Sequence, residues 1–164
     1  MSDTPNVVDF RAELSGWATQ LTHMFCIDLK HMPEGCFNES HGGKARTVAD
    51  IVAEVSGLNM MVVGILNGAT PAMPSDEERA AYTASLNNAE ACINAIRSSG
   101  EAIAQAIKDT SEATFAEMTT APWGMSLTKY QFANIVVNNM WYHDGQLNYL
   151  QSLHGDDQVH WMEG

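Results

Sequence analysis

Residues 138–156 constrain this chain more than any other stretch, because a helical period there carries polar side chains onto an apolar face. At 3.6 residues per turn, one stripe of the segment holds Asn139, His143, Gln146, Leu147 and Leu150. A stripe with two leucines should face a core, where a polar group without a partner costs roughly 1 to 3 kcal/mol. The imidazole and the carboxamides must therefore meet polar partners. The segment predicts a long helix that carries a buried polar cluster.

Apolar residues recur with helical spacing along most of the chain, and 164 residues suffice for one domain that buries about 70% of its unfolded surface. The spacing predicts four long helices, at about residues 7–29, 47–66, 75–108 and 126 or 128 to 155. The connection between the last two shows no strand pattern and has room for a short helical turn. We therefore predict a single all-α domain over residues 1–164. Its tail, which ends with the pair His160 and Trp161, should fold back onto the helices.

The second predicted helix carries a carboxylate on its inner side. Thr47 and Asp50 form a capping-box pattern, which indicates where this helix starts. Glu54 then falls within the apolar stripe, where a carboxylate is costly unless it is paired or bound to a metal. Two interpretations follow from the residues alone. Glu54 and His143 either share a metal ion or form a hydrogen bond that fixes the packing of their helices.

Two cationic side chains, Lys44 and Arg46, lie just before the start of the second helix. A helix N-terminus with basic side chains can hold a carboxylate or phosphate group of a substrate. In a chain this acidic, the same two residues can also form salt bridges with neighbouring helices. Both interpretations remain open at this stage.

The charge of the chain narrows the classes of partner. Eight Lys and Arg against 20 Asp and Glu leave a net charge of -12, which repels nucleic-acid phosphates and anionic lipid headgroups. The first ten residues lack the basic and apolar regions of a signal peptide, and no segment approaches 18 consecutive apolar residues. We therefore expect a soluble, cytoplasmic protein that binds neither nucleic acid nor membrane.

The three cysteines, Cys26, Cys36 and Cys92, form no CxxC pair, and their odd number argues against a disulfide framework. None has a neighbouring histidine at a useful spacing or a place at a helix start, the two features that lower a thiol pKa. We therefore expect a reducing compartment and no nucleophilic cysteine.

Three motifs resemble the DinB-like superfamily of damage-inducible four-helix bundles. They are WYHDGQLNYLQSLHGD in the last helix, GGKARTVADIVAEVSGLN at the start of the second helix, and the closing His-Trp pair. The resemblance implies an up-up-down-down bundle, often a homodimer. It also implies a divalent metal site built from one residue of the second helix and two residues, four apart, of the last helix. Relatives include mycothiol-dependent isomerases and bacillithiol transferases, in which the metal is thought to activate a thiol.

Carried over by position, the resemblance assigns metal ligands to particular residues. Glu54 matches the ligand of the second helix, His143 matches the later ligand of the last helix, and Asn139 stands where many members have the other histidine. His160 is available as a further ligand if the tail folds over the site. The implied cofactors are a divalent ion (Zn, Ni or Mn) and a low-molecular-weight thiol.

Three functions remain open from the sequence. The first is a metal-dependent enzyme, a thiol transferase or hydrolase, in which the ion activates a thiol or water that attacks a small-molecule substrate. The second is a non-catalytic, stress-related binding or dimerisation bundle in which the polar cluster is only packing. The third is binding of a small ligand in an apolar cavity beside His143. We also expect a homodimer, with Trp17, Trp141 and Tyr142 as candidate interface residues.

Overall fold

The computed structural model describes residues 8–163 and is mostly helical. Its α-helices are α1 (Phe10–His31), α2 (Val48–Leu66), α3 (Asp76–Ser85), α4 (Ala89–Asp109), α5 (Glu112–Phe115) and α6 (Lys129–Leu153). A 3-10 turn covers Cys36–Asn38, and two short strands, β1 (Met118–Thr120) and β2 (Ser126–Thr128), complete the described elements. The four long helices α1, α2, α4 and α6 lie side by side. Helices α1 and α2 each pack against both α4 and α6, so α1 and α2 occupy diagonal positions.

One hydrophobic core runs between these four helices. Its largest fully buried side chains include Phe25, Leu29, Ile51, Ile65, Ile96, Ile103, Phe132, Met140 and Leu147. Every long helix contributes to this set because each has an apolar stripe that can be removed from water only against its neighbours. Helix α6 therefore packs one side of its inward surface against α1 and the other side against α2.

Three contacts give the directions of α1, α4 and α6. The hydroxyl of Ser15 donates to the carbonyl of Ala104 at 2.8 Å, and the thiol of Cys26 donates to the carbonyl of Ile93 at 3.8 Å. The start of α1 thus meets the end of α4 and the end of α1 meets the start of α4, so these two helices are antiparallel. Asn148 donates to Asp28, which joins the last turns of α1 and α6. These two helices are therefore parallel.

The loop between α1 and α2 stays at the same end of the molecule. Its Glu39 lies 3.7 Å from His154, just beyond the end of α6, and α2 begins there and runs opposite to α1. The order is therefore up-down-down-up, which corrects the predicted up-up-down-down order. The physical reason is that this long loop folds into a 3-10 turn instead of running the length of the bundle. The connection that carries α3, between α2 and α4, makes the only crossover in the described chain.

Local signals fix most helix ends as predicted. Thr47 and Asp50 form a capping box at α2, and the side chains of Ser75 and Thr128 cap α3 and α6. Helix α6 ends at Leu153, and Gly155 follows with a positive φ of 90°. The predicted start of the first helix at residue 7 lies outside the described residues, within which α1 begins at Phe10.

Two predicted segments differ from the structure. The single helix expected over residues 75–108 is broken between α3 and α4, because Leu86 turns into the core and the side chain of Asn88 caps a new helix by accepting from Ala91 N at 2.9 Å. The connection after α4 holds the short helix α5, but it also forms an antiparallel hairpin in which Met118 faces Thr128. Strands of three residues are too short to show a period of two.

Helix α2 meets the length and hydropathy criteria for a membrane-spanning helix, although the sequence analysis expected no such segment. By length and composition it could cross a membrane, since an 18-residue window has a mean hydropathy of 1.6. Half of that window is buried inside the protein, however, and a core helix passes the same test. A single helix of this kind is weak evidence for a membrane span.

Gly100 allows α1 and α4 to approach closely. A Cβ atom placed there would lie 2.0 Å from Thr22 Oγ1 and 2.8 Å from Thr22 Cβ. Thr22 is buried and donates to the carbonyl of Ala18 at 2.7 Å, so it cannot easily turn away. The helix-weakening glycine is therefore a packing requirement of this interface.

We predict that Gly100→Ala lowers the free energy of unfolding by about 1 to 3 kcal/mol, because the added methyl group overpacks the contact with Thr22. The matched control is Gly16→Ala in α1, where a Cβ meets nothing within 4 Å. The control should gain up to roughly 1 kcal/mol from helix propensity. Urea unfolding of both variants measures the difference, and equal effects would refute the close-packing argument.

Candidate functional site

The predicted pair Glu54 and His143 does come together, where α2 faces α6. Glu54 Oε1 lies 3.0 Å from His143 Nε2. The imidazole is fully buried, whereas the carboxylate side chain remains 39% exposed. The pair therefore has a fixed inner member and an outer member that solvent can reach.

Gln146 determines which nitrogen of His143 faces Glu54 as an acceptor. The Nδ1 atom lies 2.7 Å from Gln146 Oε1, one helical turn further along α6. An amide oxygen can only accept, so Nδ1 carries a hydrogen, and a neutral ring in this orientation presents a lone pair at Nε2. That lone pair faces a carboxylate oxygen. Two electron-rich atoms at this distance require a proton or a cation between them.

Arg46 supplies positive charge at this point. Its Nη1 donates to Glu54 Oε2 and lies 3.4 Å from His143 Nε2. The arginine side chain is 45% exposed and belongs to the loop before α2, so it can leave the pair without disturbing the core. Of the two candidate anion-binding cations, Arg46 is thus part of the cluster, whereas Lys44 is exposed.

Asn139 lies one turn before His143 on α6, and its Oδ1 atom is buried without a hydrogen-bond partner among the described residues. A buried amide oxygen with free lone pairs is the kind of atom that a cation can satisfy. Carboxylate oxygen, imidazole nitrogen and amide oxygen together are an acceptable donor set for a divalent ion. The residues therefore fit a metal, provided that Arg46 moves aside.

His160 is placed in a different cluster. Its Nε2 lies 2.9 Å from Asp156 Oδ2, its Nδ1 lies 2.6 Å from Glu163 Oε1, and its ring stacks on that of His31. Both nitrogens are thus engaged away from Glu54. The tail nevertheless folds back as predicted, because Trp161 Nε1 donates to Asp28 Oδ2 at 2.8 Å.

A second buried polar pair, Asp28 with Asp144, joins α1 to α6, and sequence reasoning missed it. Both residues are almost completely buried. Burial, followed by the charge of Asp28, raises the pKa of Asp144 from 3.8 to about 8. A protonated Asp144 can donate to Asp28, which two carboxylates could not do. A signal was present, because Asp28 continues the apolar stripe of Leu21, Met24 and Phe25 at helical spacing.

The cysteines are poor nucleophiles, in line with the sequence analysis. Burial raises the pKa of the Cys26 thiol to about 11 and that of Cys92 to about 12, and it also raises the pKa of Cys36. These thiols stay protonated near neutral pH. An attacking sulfur would therefore have to come from another molecule.

Two surface clefts lie on α1, away from the polar cluster. One, of about 470 Å³, is lined by residues from Asp9 to Thr19 and by Lys108. The other, of about 200 Å³, lies between α1 and α4 beside His23 and Arg97. Neither is lined by a residue of the predicted site, so neither supports the expected apolar cavity beside His143.

The fold is similar to that of a solved enzyme. The structure of a mycothiol-dependent maleylpyruvate isomerase matches with a TM-score of 0.69 and 19% sequence identity, over 84% of this chain and 60% of that chain. A histidine-to-alanine mutant of the same enzyme matches equally well. No model of a protein family matches the chain, and no curated protein matches it. At this identity the likeness shows the fold alone, and it agrees with the resemblance to mycothiol-dependent isomerases that the motifs suggested.

We predict that Asp144→Asn removes a pH dependence of stability. Between pH 3.8 and about 8 the folded protein holds the proton of Asp144 and the unfolded chain does not, so stability falls as pH rises through this range. The asparagine variant stays neutral and lacks this decline. Denaturant unfolding between pH 4 and 8 measures the slope. Asp157→Asn, an exposed neighbour of the tail, is the control, and a decline shared equally by both variants would contradict the buried pair.

Proposed function

We propose that this chain is a divalent-metal-dependent enzyme in which Glu54, His143 and Asn139 hold the ion and a low-molecular-weight thiol supplies the nucleophile. The observation that carries the proposal is the contact at 3.0 Å between Glu54 Oε1 and His143 Nε2. Gln146 already uses the other ring nitrogen. The likeness to a mycothiol-dependent enzyme supports the choice of a thiol cofactor. The proposal includes a cytoplasmic location, where such thiols are kept reduced.

Each residue has a defined part in this proposal. Gln146 holds the His143 ring so that Nε2 stays aimed at the ion position, as outer partners of metal-bound histidines do. Glu54 provides negative charge, and Asn139 offers the amide oxygen that lacks a partner. A divalent ion bound there would lower the pKa of a coordinated thiol or water. Arg46, once released from Glu54, is available to pair with an anionic group of the substrate.

A second candidate is a non-catalytic bundle whose polar cluster only fixes the packing of α2 against α6. The direct contact between Glu54 and His143, closed by Arg46, favours it, because these three side chains satisfy one another without a metal. This candidate leaves the buried Asn139 Oδ1 without a role. The two candidates differ in the expected effect of removing Arg46.

The decisive experiment measures metal affinity in protein purified without a histidine tag. If the guanidinium competes with the ion for Glu54 and His143, Arg46→Gln should bind Zn or Ni at least about tenfold more tightly than wild type, a gain of roughly 1.4 kcal/mol. His143→Ala should lose that site. Lys44→Gln, which removes an exposed charge at the same end of α2, is the matched control and should change affinity little. Calorimetry and elemental analysis give affinity and stoichiometry.

The thiol step has its own readout. With cobalt in place of the native ion, an added thiol that coordinates the metal should produce a thiolate-to-cobalt absorption band in wild type and none in His143→Ala. Failure of both wild type and Arg46→Gln to bind any divalent ion would reject the enzyme and leave the packing bundle. Metal binding without the band would retain the site and reject the thiol.

We also propose a homodimer formed through the outer faces of α1 and α6. Trp17, Trp141 and Tyr142 are exposed there by 48%, 50% and 63%, and aromatic side chains are enriched in interfaces. Sedimentation at micromolar concentration should give twice the chain mass of 17.9 kDa. Tyr142→Ser should shift the equilibrium toward monomer, whereas Met73→Ser, an exposed loop change, should not. A single 17.9 kDa species in wild type would reject the dimer.

A further inference from the structure

The C-terminal tail brings metal-ligating side chains together in a cluster that is separate from Glu54 and His143. One ligand atom from each of His31, Asp156 and His160 lies within 4.8 Å of the others. Glu163 joins them, with Oε2 at 2.9 Å from His31 Nε2 and Oε1 at 2.6 Å from His160 Nδ1. Two imidazoles and two carboxylates form a donor set suited to zinc or nickel.

The charges of the cluster favour a cation. A hydrogen bond from Gln151 is the main cause that lowers the pKa of Asp156 to about 2, and the bond to His160 lowers the pKa of Glu163. Both carboxylates are therefore ionised at neutral pH. Asp156 and Glu163 both contact the His160 ring, so a cation at this position would lie between two carboxylates. The net charge of the chain, -12, also favours a cation there.

The backbone around the cluster allows the four ligand side chains to move closer together, as binding of an ion requires. Ligand atoms around a zinc ion lie roughly 3.4 Å apart, given bonds of about 2.1 Å. His31 is the last residue of α1, whereas Asp156, His160 and Glu163 lie beyond α6 in irregular chain that no helix holds. The rings of His31 and His160 now stack with centroids 3.6 Å apart and planes within 5°. Since stacked rings aim their nitrogens in parallel, binding requires the His160 ring to tilt out of the stack.

We propose that His31, Asp156, His160 and Glu163 form a divalent-cation site that fastens the C-terminal tail to the end of α1. The residue after His160 is Trp161, which donates to the buried Asp28 and lies 5.7 Å from the ring of Trp141. An ion at the cluster therefore holds the tryptophan over the α1 and α6 contact. Tilting of His160 should alter the surroundings of Trp161, so tryptophan fluorescence reports binding.

The test titrates zinc and nickel into tag-free, chelator-treated protein, followed by calorimetry and by tryptophan fluorescence. His31→Ala and Asp156→Asn should each weaken binding at this site by at least about tenfold, since loss of even an outer partner costs 10- to 100-fold. They should also abolish the fluorescence change. The matched controls are His23→Ala, an exposed histidine on α1, and Asp157→Asn, next to Asp156 in the tail. Circular dichroism verifies that each variant is folded.

The same titrations separate this site from the proposed active site. If His143→Ala retains the fluorescence-linked binding and His31→Ala loses it, the tail site stands, whatever happens at Glu54. If His31→Ala and Asp156→Asn bind as wild type does, the tail site is overturned, while a loss in His143→Ala would keep the proposed function. Absence of any zinc or nickel binding in wild type would overturn the tail site, and it would overturn the proposed function as well if Arg46→Gln also binds neither ion.

Discussion

The rotation of α6 about its own axis is fixed by two consecutive buried polar residues, and the rest of the structure depends on it. His143 faces α2 and meets Glu54, whereas Asp144 faces α1 and meets Asp28. Since α1 and α2 lie diagonally, α6 fills the groove between them and must satisfy both neighbours at once. If α6 were rotated about its axis by one residue position, His143 and Asp144 would both lose their polar partners, and each loss would cost roughly 1 to 3 kcal/mol. The leucines of α6 alone would tolerate such a slip more easily, because apolar contacts are not directional.

Much of the architecture could be predicted from the sequence, because it rests on local and periodic signals. The apolar periods of α1, α2 and α6 placed these helices, and the capping residues Thr47, Ser75 and Thr128 located the starts of α2, α3 and α6. The inward positions of Glu54 and His143 followed from the same period. That these two meet required only that α2 and α6 be neighbours, which the family resemblance supplied.

The parts that could not be predicted depend on contacts between segments distant in the chain. Nothing in the period of α1 or α2 tells whether a long loop between them stays at one end, and so the helix order was wrong. Arg46 reaches His143 across 97 residues of sequence, and His31 meets Glu163 across 132. The break before α4 rests on the burial of one side chain, Leu86, within a continuous helical pattern. These outcomes are set by tertiary packing, to which local propensity is only a weak guide.

The position of α6 after α1, α2 and α4 in the sequence has a consequence for how the protein folds during synthesis. The carboxylates of Glu54 and Asp28 find their partners on α6, 89 and 120 residues later in the sequence. A ribosome releases the first two long helices well before the helix that neutralises or pairs these groups exists. Helices α1 and α2 therefore cannot pair these carboxylates before α6 has been synthesised. Folding should wait for the last helix and then proceed as one cooperative step, with long-range contacts setting its rate.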